Sequence, residues 1–247
     1  MYLQTIQASA LRTIFEVLKD IVNDVNVYFT PEGVRIQTFD TAKVTLIQMF
    51  LPAENFEEYT CPEEMIAGLN MTNTYKLLKS VSNNDSLSMK MEGRDNIDIS
   101  IENTVKHSKT SFRLKLLDIN EDMLDVPEMD LEIVTTIPST DFQRIARDMA
   151  NLATDMRIAR HGGMLKLSCL GDFADQTTVL DCGGDGPDDE VGNSYSLKYI
   201  NMYTKATNLC SSVQIFQFGE SDMPIVFRYA IANLGEIKFY LAQKTET

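Results

Sequence analysis

The chain has few of the residues that build disulfide frameworks, metal sites or membrane spans. Its 247 residues include four cysteines, Cys61, Cys169, Cys182 and Cys210, which lie far apart with no C-x-x-C pair. This spacing fits free thiols in a reducing compartment better than a disulfide framework or a zinc site. No stretch approaches the roughly 18 apolar residues that a membrane span needs, and the first residues lack the basic and apolar regions of a signal peptide. The sequence therefore predicts a soluble intracellular protein without a membrane contact or a bound metal.

Positive charge is also scarce. The chain carries 22 Lys and Arg against 36 Asp and Glu, a formal net charge of -14. Phosphate backbones are bound where cations cluster, so this balance alone favours an ordinary acidic globular protein. Hydrophobic residues make up 44% of the chain. They suffice for a core in one long domain or in two of about 120 residues each. The function then depends on where the cations lie.

Motifs of catalysis and cofactor binding are missing as well. The two histidines, His107 and His161, have no plausible acid–base partner nearby in the sequence. The chain contains no G-x-G-x-x-G, Walker loop, H-E-x-x-H or G-x-S-x-G. We therefore expect no catalytic residue and no cofactor. An enzyme with a lone serine nucleophile stays open as a minor alternative.

The strongest pattern in the sequence is an internal repeat. Segment Ser9 to Asn23 has apolar residues at helical spacing, with Ser9 placed to cap the helix, and strand-like alternation follows around a turn at 31–33. The same order returns in the second half of the chain. There Ser139 precedes a helical pattern, and a Gly162-Gly163 turn follows it.

A second pair of helices strengthens the match between the halves. Segments 70–79 and 196–205 each have helical character and lead into alternating strand residues. The predicted order of elements in each half is therefore strand, helix, several strands, short helix and several strands. Two matches in register predict a duplicated α+β unit.

An acidic segment, 118–130, separates the two repeats. It lacks helical or strand periodicity, and Pro127 disfavours regular structure around it. The simplest interpretation is a solvated linker. However, the spaced apolar residues Leu124, Val126 and Met129 suggest that the segment lies against a surface.

All four predicted helices carry cations beside their apolar stripes. The pairs are three or seven residues apart, so each lies on roughly one side of its helix; they are Arg12 and Lys19, Lys76 and Lys79, Arg144 and Arg147, and Lys198 and Lys205. A solvated helix face is the usual meaning of such cations, and Glu16 and Asp20 favour it for the first helix. If pseudo-symmetry relates the halves, however, the cations gather on one face that could bind phosphate. No aromatic platform or recognition helix accompanies them, so we expect sequence-neutral binding to duplex rather than single-stranded DNA.

Along its whole length the chain resembles the proliferating cell nuclear antigen family, the eukaryotic-type DNA sliding clamps. The matching stretches occur in family order with compatible spacing: 18–23, 33–37, 116–119 with 126–128, 142–148, 204–207, 229–235 and 239–242. The resemblance implies an α+β DNA clamp fold with two duplicated domains, each with two helices packed on antiparallel sheets. Three chains would form a pseudo-sixfold homotrimeric ring around double-stranded DNA. The implied divisions are an N-terminal domain at 1–117, an interdomain connector at 118–134 and a C-terminal domain at 135–247.

The resemblance also implies the surfaces through which such a ring works. It places the eight helix cations in the central channel. It pairs the edge strand that contains Phe112, Leu114 and Leu116 with one that contains Thr177 and Val179 of the next subunit. Opening a closed ring requires work, which implies an ATP-dependent clamp loader as a partner.

The resemblance further implies a pocket for DNA polymerase and other client proteins with a Q-x-x-aliphatic-x-x-aromatic-aromatic peptide, the PIP-box type. The residues that match this pocket are Phe39, Lys43, Val44, Leu46, Leu124, Val126, Pro127, Pro224, Tyr240, Ala242, Gln243 and Lys244. Core packing is the alternative for each apolar member. Phe39 and Lys43 replace the usual Met and His, and Ala242-Gln243-Lys244 replaces Ala-Pro-Lys, so client preference is expected to differ.

The implied function is a non-catalytic processivity factor in DNA replication and repair. It would act in the nucleus, or in a viral replication compartment if a virus encodes it. Two alternatives stay open from the sequence: a subunit of a heterotrimeric checkpoint clamp, and an acidic DNA mimic that binds DNA-handling enzymes but not DNA.

Overall fold

The computed structural model describes residues 1–121, 123–124, 133–183, 187–218 and 223–244. Two compact units make up the chain. The N-terminal unit comprises Met1–Thr41, Ile47–Asp125 and Ala230–Ile237, and the C-terminal unit comprises Ala42–Leu46, Val126–Tyr229 and Lys238–Thr247. The domain boundaries proposed from the sequence stay a prediction.

The first half of the chain forms nine strands and two α-helices. In order they are β1 (Tyr2–Thr5), α1 (Ala8–Leu18), β2 (Asp24–Thr30), β3 (Gly33–Phe39), β4 (Thr45–Pro52), β5 (Glu58–Thr60), β6 (Met65–Asn70), α2 (Met71–Leu78), β7 (Asp85–Lys90), β8 (Asn96–Asn103) and β9 (Ser108–Lys115). A single 3₁₀ turn, Ala53–Asn55, follows β4.

The second half repeats this order. Its elements are β10 (Ile133–Pro138), α3 (Ser139–Ala150), β11 (Asp155–His161), β12 (Met164–Cys169), β13 (Gln176–Asp181), β14 (Val191–Ser196), α4 (Leu197–Tyr203), β15 (Ser212–Gln217), β16 (Ile225–Ile231) and β17 (Gly235–Leu241). A 3₁₀ helix, Thr204–Leu209, follows α4 directly. Apart from β5, each element of the first half has a counterpart in the second.

The sheets repeat as well. Strand order β1-β7-β8-β9 in the first half, extended by β5, corresponds to β10-β15-β16-β17 in the second. Likewise, β4-β3-β2-β6 corresponds to β13-β12-β11-β14. Neighbouring strands with a described register are antiparallel throughout. The prediction of a duplicated α+β fold, with two helices on antiparallel sheets in each repeat, is confirmed.

Helix α1 differs from its prediction at both ends. It begins at Ala8 after Gln7, and no side chain caps it, so the prediction that Ser9 is the cap was wrong. It ends at Leu18 instead of Asn23, because tight turn hydrogen bonds from Asp20 and Ile21 replace the α-helical pattern. These hydrogen bonds turn the chain before strand β2 begins at Asp24.

The helices are held by the apolar stripes seen in the sequence. In α1 the side chains of Leu11, Ile14 and Leu18 are buried, and in α3 those of Phe142 and Ile145 are buried. Fully burying one such side chain contributes about 1.5–3 kcal/mol. The opposite helix faces are left for polar and charged residues. No helix among the described residues is long and apolar enough to cross a membrane.

Candidate nucleic-acid interface and partner surfaces

Within the N-terminal unit, the cations of α1 are partly engaged by the protein. Arg12 Nη1 donates to the Val81 carbonyl at 2.7 Å. Lys19 Nζ lies 2.9 Å from Asp20 Oδ1 and 5.2 Å from the centre of the Tyr75 ring. These contacts orient both side chains and reduce their availability for a ligand.

The cations of α2 are more available. Lys76 is exposed, and among the described residues its Nζ donates only to the side-chain oxygen of Asn73, at 3.3 Å. Lys79 is also exposed, and within the described residues no hydrogen bond or ion pair involves its side chain. Helices α1 and α2 pack against each other. Arg12 reaches the Val81 carbonyl, two residues beyond Lys79, and Lys19 reaches the ring of Tyr75, the residue before Lys76.

In the C-terminal unit all four predicted cations are exposed. Arg144 lies 3.8 Å from Asp141, a weak contact on its own helix, and Lys198 stands over the Tyr199 ring. For Arg147, the described part of the chain offers no hydrogen bond or ion pair. Helices α3 and α4 pack together, as α1 and α2 do.

Three of the eight cations lie at helix ends or beyond them. Lys19 and Lys79 are the C-cap residues of α1 and α2. Lys205 belongs to the 3₁₀ helix after α4 rather than to α4, so the prediction of one helix over 196–205 was wrong there. Cations stabilise helix C-termini, which gives Lys19 and Lys79 a structural role besides any contact with phosphate.

Three cations on the strands form ion pairs with carboxylates. Arg113 binds Asp98 at 2.7 Å, Lys109 binds Glu102, and Arg157 binds Glu190 at 2.9 Å. Hydrogen bonding to Arg157 holds the pKa of Glu190 below its usual value. Carboxylates thus hold some strand cations in each unit, although Lys115 on β9 and Lys166 on β12 have no ion pair among the described residues. Lys79 and Arg147 at the helices are likewise free to meet an external anion.

The two predicted interface strands lie at sheet edges. Strand β9 is the outermost strand of its sheet, and β13 is the outermost strand of another. Val179 on β13 is 51% exposed, and Thr177 is exposed as well. Phe112 and Leu114 on β9 are half-buried, and Leu116 lies just after the strand. An unpaired edge is a ready template for another strand.

Side chains of the N-terminal unit anchor the start of the connector. Asn26 Nδ2 donates to the carbonyls of Ile119 at 3.1 Å and Glu121 at 2.9 Å, and Gln37 Nε2 donates to the Leu124 carbonyl. A Cβ on Gly68 would lie 2.2 Å from the Leu117 carbonyl oxygen, so only glycine permits this approach. The described start of the connector therefore lies against the sheet, whereas Val126 and Met129, on which that prediction also rested, lie outside the described residues.

These anchors were not foreseen from the sequence. Strand alternation indicates that Asn26, between the buried residues Val25 and Val27, faces away from the core. The residues whose carbonyls accept its hydrogen bonds, Ile119 and Glu121, lie 93 and 95 residues after it in the sequence. No local pattern carries that information.

The predicted client-peptide residues fall in three groups. Phe39, which is 41% exposed, and Leu124 belong to the N-terminal unit. Val126 and Pro127 lie outside the described residues. The rest belong to the C-terminal unit: Lys43, Val44, Leu46, Pro224, Tyr240, Ala242, Gln243 and Lys244.

Within the C-terminal group, the backbone ties the tail to the segment around Val44. The Ala242 N–H donates to the Val44 carbonyl at 3.0 Å. Leu46 and Tyr240 are buried, which agrees with a packing role. Lys244 Nζ forms an ion pair with Asp155 at 2.7 Å, so its charge is already matched within the C-terminal unit. The pocket itself stays a prediction.

The duplicated repeats, with two helices on antiparallel sheets in each, define a protein of the DNA clamp class. Comparison with known sequences agrees with this. The family model for the N-terminal domain of proliferating cell nuclear antigen matches residues 1–124, and that for its C-terminal domain matches residues 125–244. The chain belongs to the proliferating cell nuclear antigen family, whose members are non-catalytic processivity factors.

A viral relative spans almost the same length. The chain is 31% identical over 252 residues to the probable DNA polymerase sliding clamp 1 of Paramecium bursaria Chlorella virus 1. The alignment covers 98% of this chain and 95% of the relative. The similarity is therefore spread over both repeats.

Proposed function

We propose that the chain is one subunit of a homotrimeric sliding clamp that encircles duplex DNA and tethers DNA polymerase to it. Family membership over both repeats supports this, since the family consists of processivity factors. The observation that carries the DNA-facing assignment is that both helix pairs present exposed cations, of which Lys79 and Arg147 have no hydrogen bond or ion pair among the described residues.

The helix cations would act by loose contact with phosphates. A long Lys or Arg side chain can exchange one phosphate oxygen for the next at little cost, because the backbone charge is uniform and carries no sequence information. The acidic remainder of the chain repels DNA elsewhere. Processivity then comes from enclosure by the ring rather than from tight binding.

Edge strands β9 and β13 would close the ring by pairing between neighbouring subunits. Pairing also removes the hazard that two exposed edges present in a free subunit. An ATP-dependent clamp loader would open the ring, because a closed circle of strand pairs cannot admit DNA unaided.

Client proteins would bind at the connector through PIP-box-type peptides. The anchors Asn26 and Gln37 support this, because they hold the start of the connector in a defined path. The clamp itself would perform no catalysis. It would serve replication and repair in the nucleus, or in a viral replication compartment.

The main experiment compares polymerase processivity on primed circular and linear templates with a clamp loader present. We expect long products on circles and loss of the effect on linear DNA with open ends. Lys76, Lys79, Arg144 and Arg147 are then changed together to Glu, which should reduce stimulation on circles by more than about tenfold.

A matched control makes the same charge change at four exposed cations off these helices, Lys90, Arg94, Lys106 and Lys166. It should retain most of the stimulation. Equal loss in both variants would trace the effect to net charge and reject the channel assignment.

Light scattering tests the assembly. We expect the mass of a homotrimer for the wild type. A stable monomer would favour a heterotrimeric clamp subunit. A wild-type protein that binds DNA-handling enzymes but gives no polymerase stimulation on circular DNA with a loader present would instead favour an acidic DNA mimic.

A further inference from the structure

A groove of about 980 Å³ lies in the N-terminal unit beside strand β6. Its walls are β6, the turn between β7 and β8, and the segment that follows β9. The Leu116 N–H donates to the Asp95 carbonyl at 2.8 Å, which ties two of these walls together. The volume is at the upper end of the range for ligand sites in proteins.

The groove exposes part of a strand edge. Strand β6 is the last strand of its sheet. The Leu117 N–H donates to the Gly68 carbonyl at 2.8 Å, so the backbone groups of Gly68 point away from β2. By the two-residue period of a strand, the N–H and C=O of Ile66 point the same way. Among the described hydrogen bonds, none joins the N–H or C=O of Ile66 to a group outside the sheet.

The chain leaves this edge unfilled because the connector turns away. Leu117 pairs at Gly68, but Ile119 and Glu121 are drawn across the sheet face by Asn26. The position beside Ile66, where a neighbouring strand would continue, is thus open in the described structure.

Apolar side chains flank the open edge. Ile66 is 45% exposed and Leu117 is 42% exposed, and both line the groove. Exposed apolar residues beside an unpaired edge are the usual components of a site that accepts an added strand, since the backbone supplies affinity and the side chains supply specificity.

The rim of the groove is acidic. The carboxylates of Glu63, Glu64, Asp95, Asp118 and Glu121 line it, against the cations Arg94 and Lys115. Among the described residues, none of these seven takes part in an ion pair. An excess of unpaired carboxylates attracts a positively charged segment and repels an acidic one. The rim therefore favours a positively charged ligand over a negatively charged one.

We propose that this groove binds an extended basic segment of a partner protein, which adds a short strand beside Ile66. Alternate side chains of the segment would point to the carboxylate rim, and the others would cover Ile66 and Leu117. This interaction goes beyond the clamp function and does not require DNA or ring formation.

The test uses a fluorescein-labelled octapeptide of alternating lysine and valine as the probe, with alternating glutamate and valine as its matched control. Fluorescence anisotropy is measured with the full-length protein. We expect saturable binding of the basic peptide and none of the acidic one. Methylating the backbone nitrogens on the strand-pairing side should weaken binding about fivefold, because those hydrogen bonds are lost.

Two charge reversals locate the binding. The double variant Glu63→Lys/Glu64→Lys should weaken it by more than about tenfold. The double variant Asp188→Lys/Asp189→Lys makes the same charge change on exposed residues of the C-terminal unit and should leave affinity within about twofold. Equal loss in both variants, or an unaltered affinity in the first, would overturn the proposal.

Four further measurements distinguish peptide binding from misfolding, self-association and loss of clamp function. Melting temperature and hydrogen exchange should show that both variants fold like the wild type. If Glu63→Lys/Glu64→Lys changes the oligomeric mass in light scattering, the groove is covered by a second copy, and the peptide proposal fails. Polymerase stimulation on circular DNA should survive in this variant. That assay scores the clamp function separately from peptide binding.

Discussion

The two repeats share a topology but fill their cores in different ways. The C-terminal unit has a chain of aromatic contacts. Phe227 lies 5.5 Å from Phe142 and 5.8 Å from Tyr203, measured between ring centres, and Tyr203 stacks on Phe239 at 4.5 Å. The core of the N-terminal unit is mainly aliphatic, and an apolar cavity of about 30 Å³ remains in it.

The difference shows that strand order does not dictate how a core is packed. Aromatic rings fill volume in large rigid pieces and add stacking energy of about 0.5–1.5 kcal/mol per pair. The N-terminal core is built mostly from smaller aliphatic side chains, and it leaves a void lined by these and by Phe15, Phe29 and Phe56, whose lining atoms lose contacts. We therefore expect the C-terminal core to be the more stable of the two.

The largest expected effect is at the centre of the aromatic chain. Replacing Phe227 with Ala removes a buried ring that contacts two others and should lower the free energy of unfolding by about 3–5 kcal/mol. Urea unfolding measures the change. Hydrogen exchange should locate the loss of protection in the C-terminal unit.

The same truncation in the other core sharpens the comparison. Phe29, buried at the cavity, is changed to Ala. Protection should then fall mainly in the N-terminal unit. A uniform loss of protection across both units in either variant would contradict separate cores.

The repeats also differ in how the chain leaves the last strand. After β9 the Leu117 N–H donates to the Gly68 carbonyl, and after β17 the Lys244 N–H donates to the Ser194 carbonyl at 2.9 Å. The two crossings are equivalent in the fold. Only the first is followed by further described residues, and there Asn26 holds the backbone.

Changing Asn26 to Ala should release the start of the connector. Two hydrogen bonds are lost, at a cost of about 1–2 kcal/mol if water replaces part of them. The Leu117 amide, whose N–H donates to the Gly68 carbonyl beside the released segment, should exchange about tenfold faster, while exchange in α1 stays unaltered. Asn120→Ala is the matched control, because Asn120 is exposed on the same segment; equal acceleration there would contradict the anchoring role.

The sequence predicts much of the fold because most of the fold follows from local periodicity. The stripes of α1 and α3, the turn at Gly162 and the repeat of elements are all visible along the chain. The end of α1 at Leu18 was not, since the turn bonds that end it compete closely with helix continuation. The position of Lys205 outside α4 was missed for the same reason.

Long-range contacts determine the features of the fold that local sequence patterns do not predict. The bonds of Asn26 join strand β2 to the connector, and the open edge at Ile66 exists only because the chain crosses the sheet there. Nothing in the residues near either position encodes that path. The site assignments that came from family resemblance, such as the channel cations, still depend on experiment.

Two tyrosines of the aromatic core should respond in opposite ways to loss of the hydroxyl. The Tyr203 hydroxyl shares a hydrogen bond with Thr45, which is fully buried. The buried Tyr229 hydroxyl has no hydrogen-bond partner among the described residues, and burial raises its pKa. Tyr203→Phe should cost about 1–2 kcal/mol, and Tyr229→Phe should be neutral or stabilising by up to about 1 kcal/mol. Urea unfolding of both variants checks the signs; destabilisation by Tyr229→Phe would reveal a partner such as a buried water.

The smallest expected effect tests the cavity itself. Val27 lines the void, and Val27→Ile adds one methyl group that the void can accept, so stability should rise by about 0.5–1 kcal/mol. The matched change in the other repeat, Val213→Ile at a fully buried position, has no such space and should destabilise by about 1 kcal/mol or more. Urea unfolding gives both values. If both substitutions destabilise equally, the aliphatic core is as tightly packed as the aromatic one, and the contrast between the two repeats does not hold.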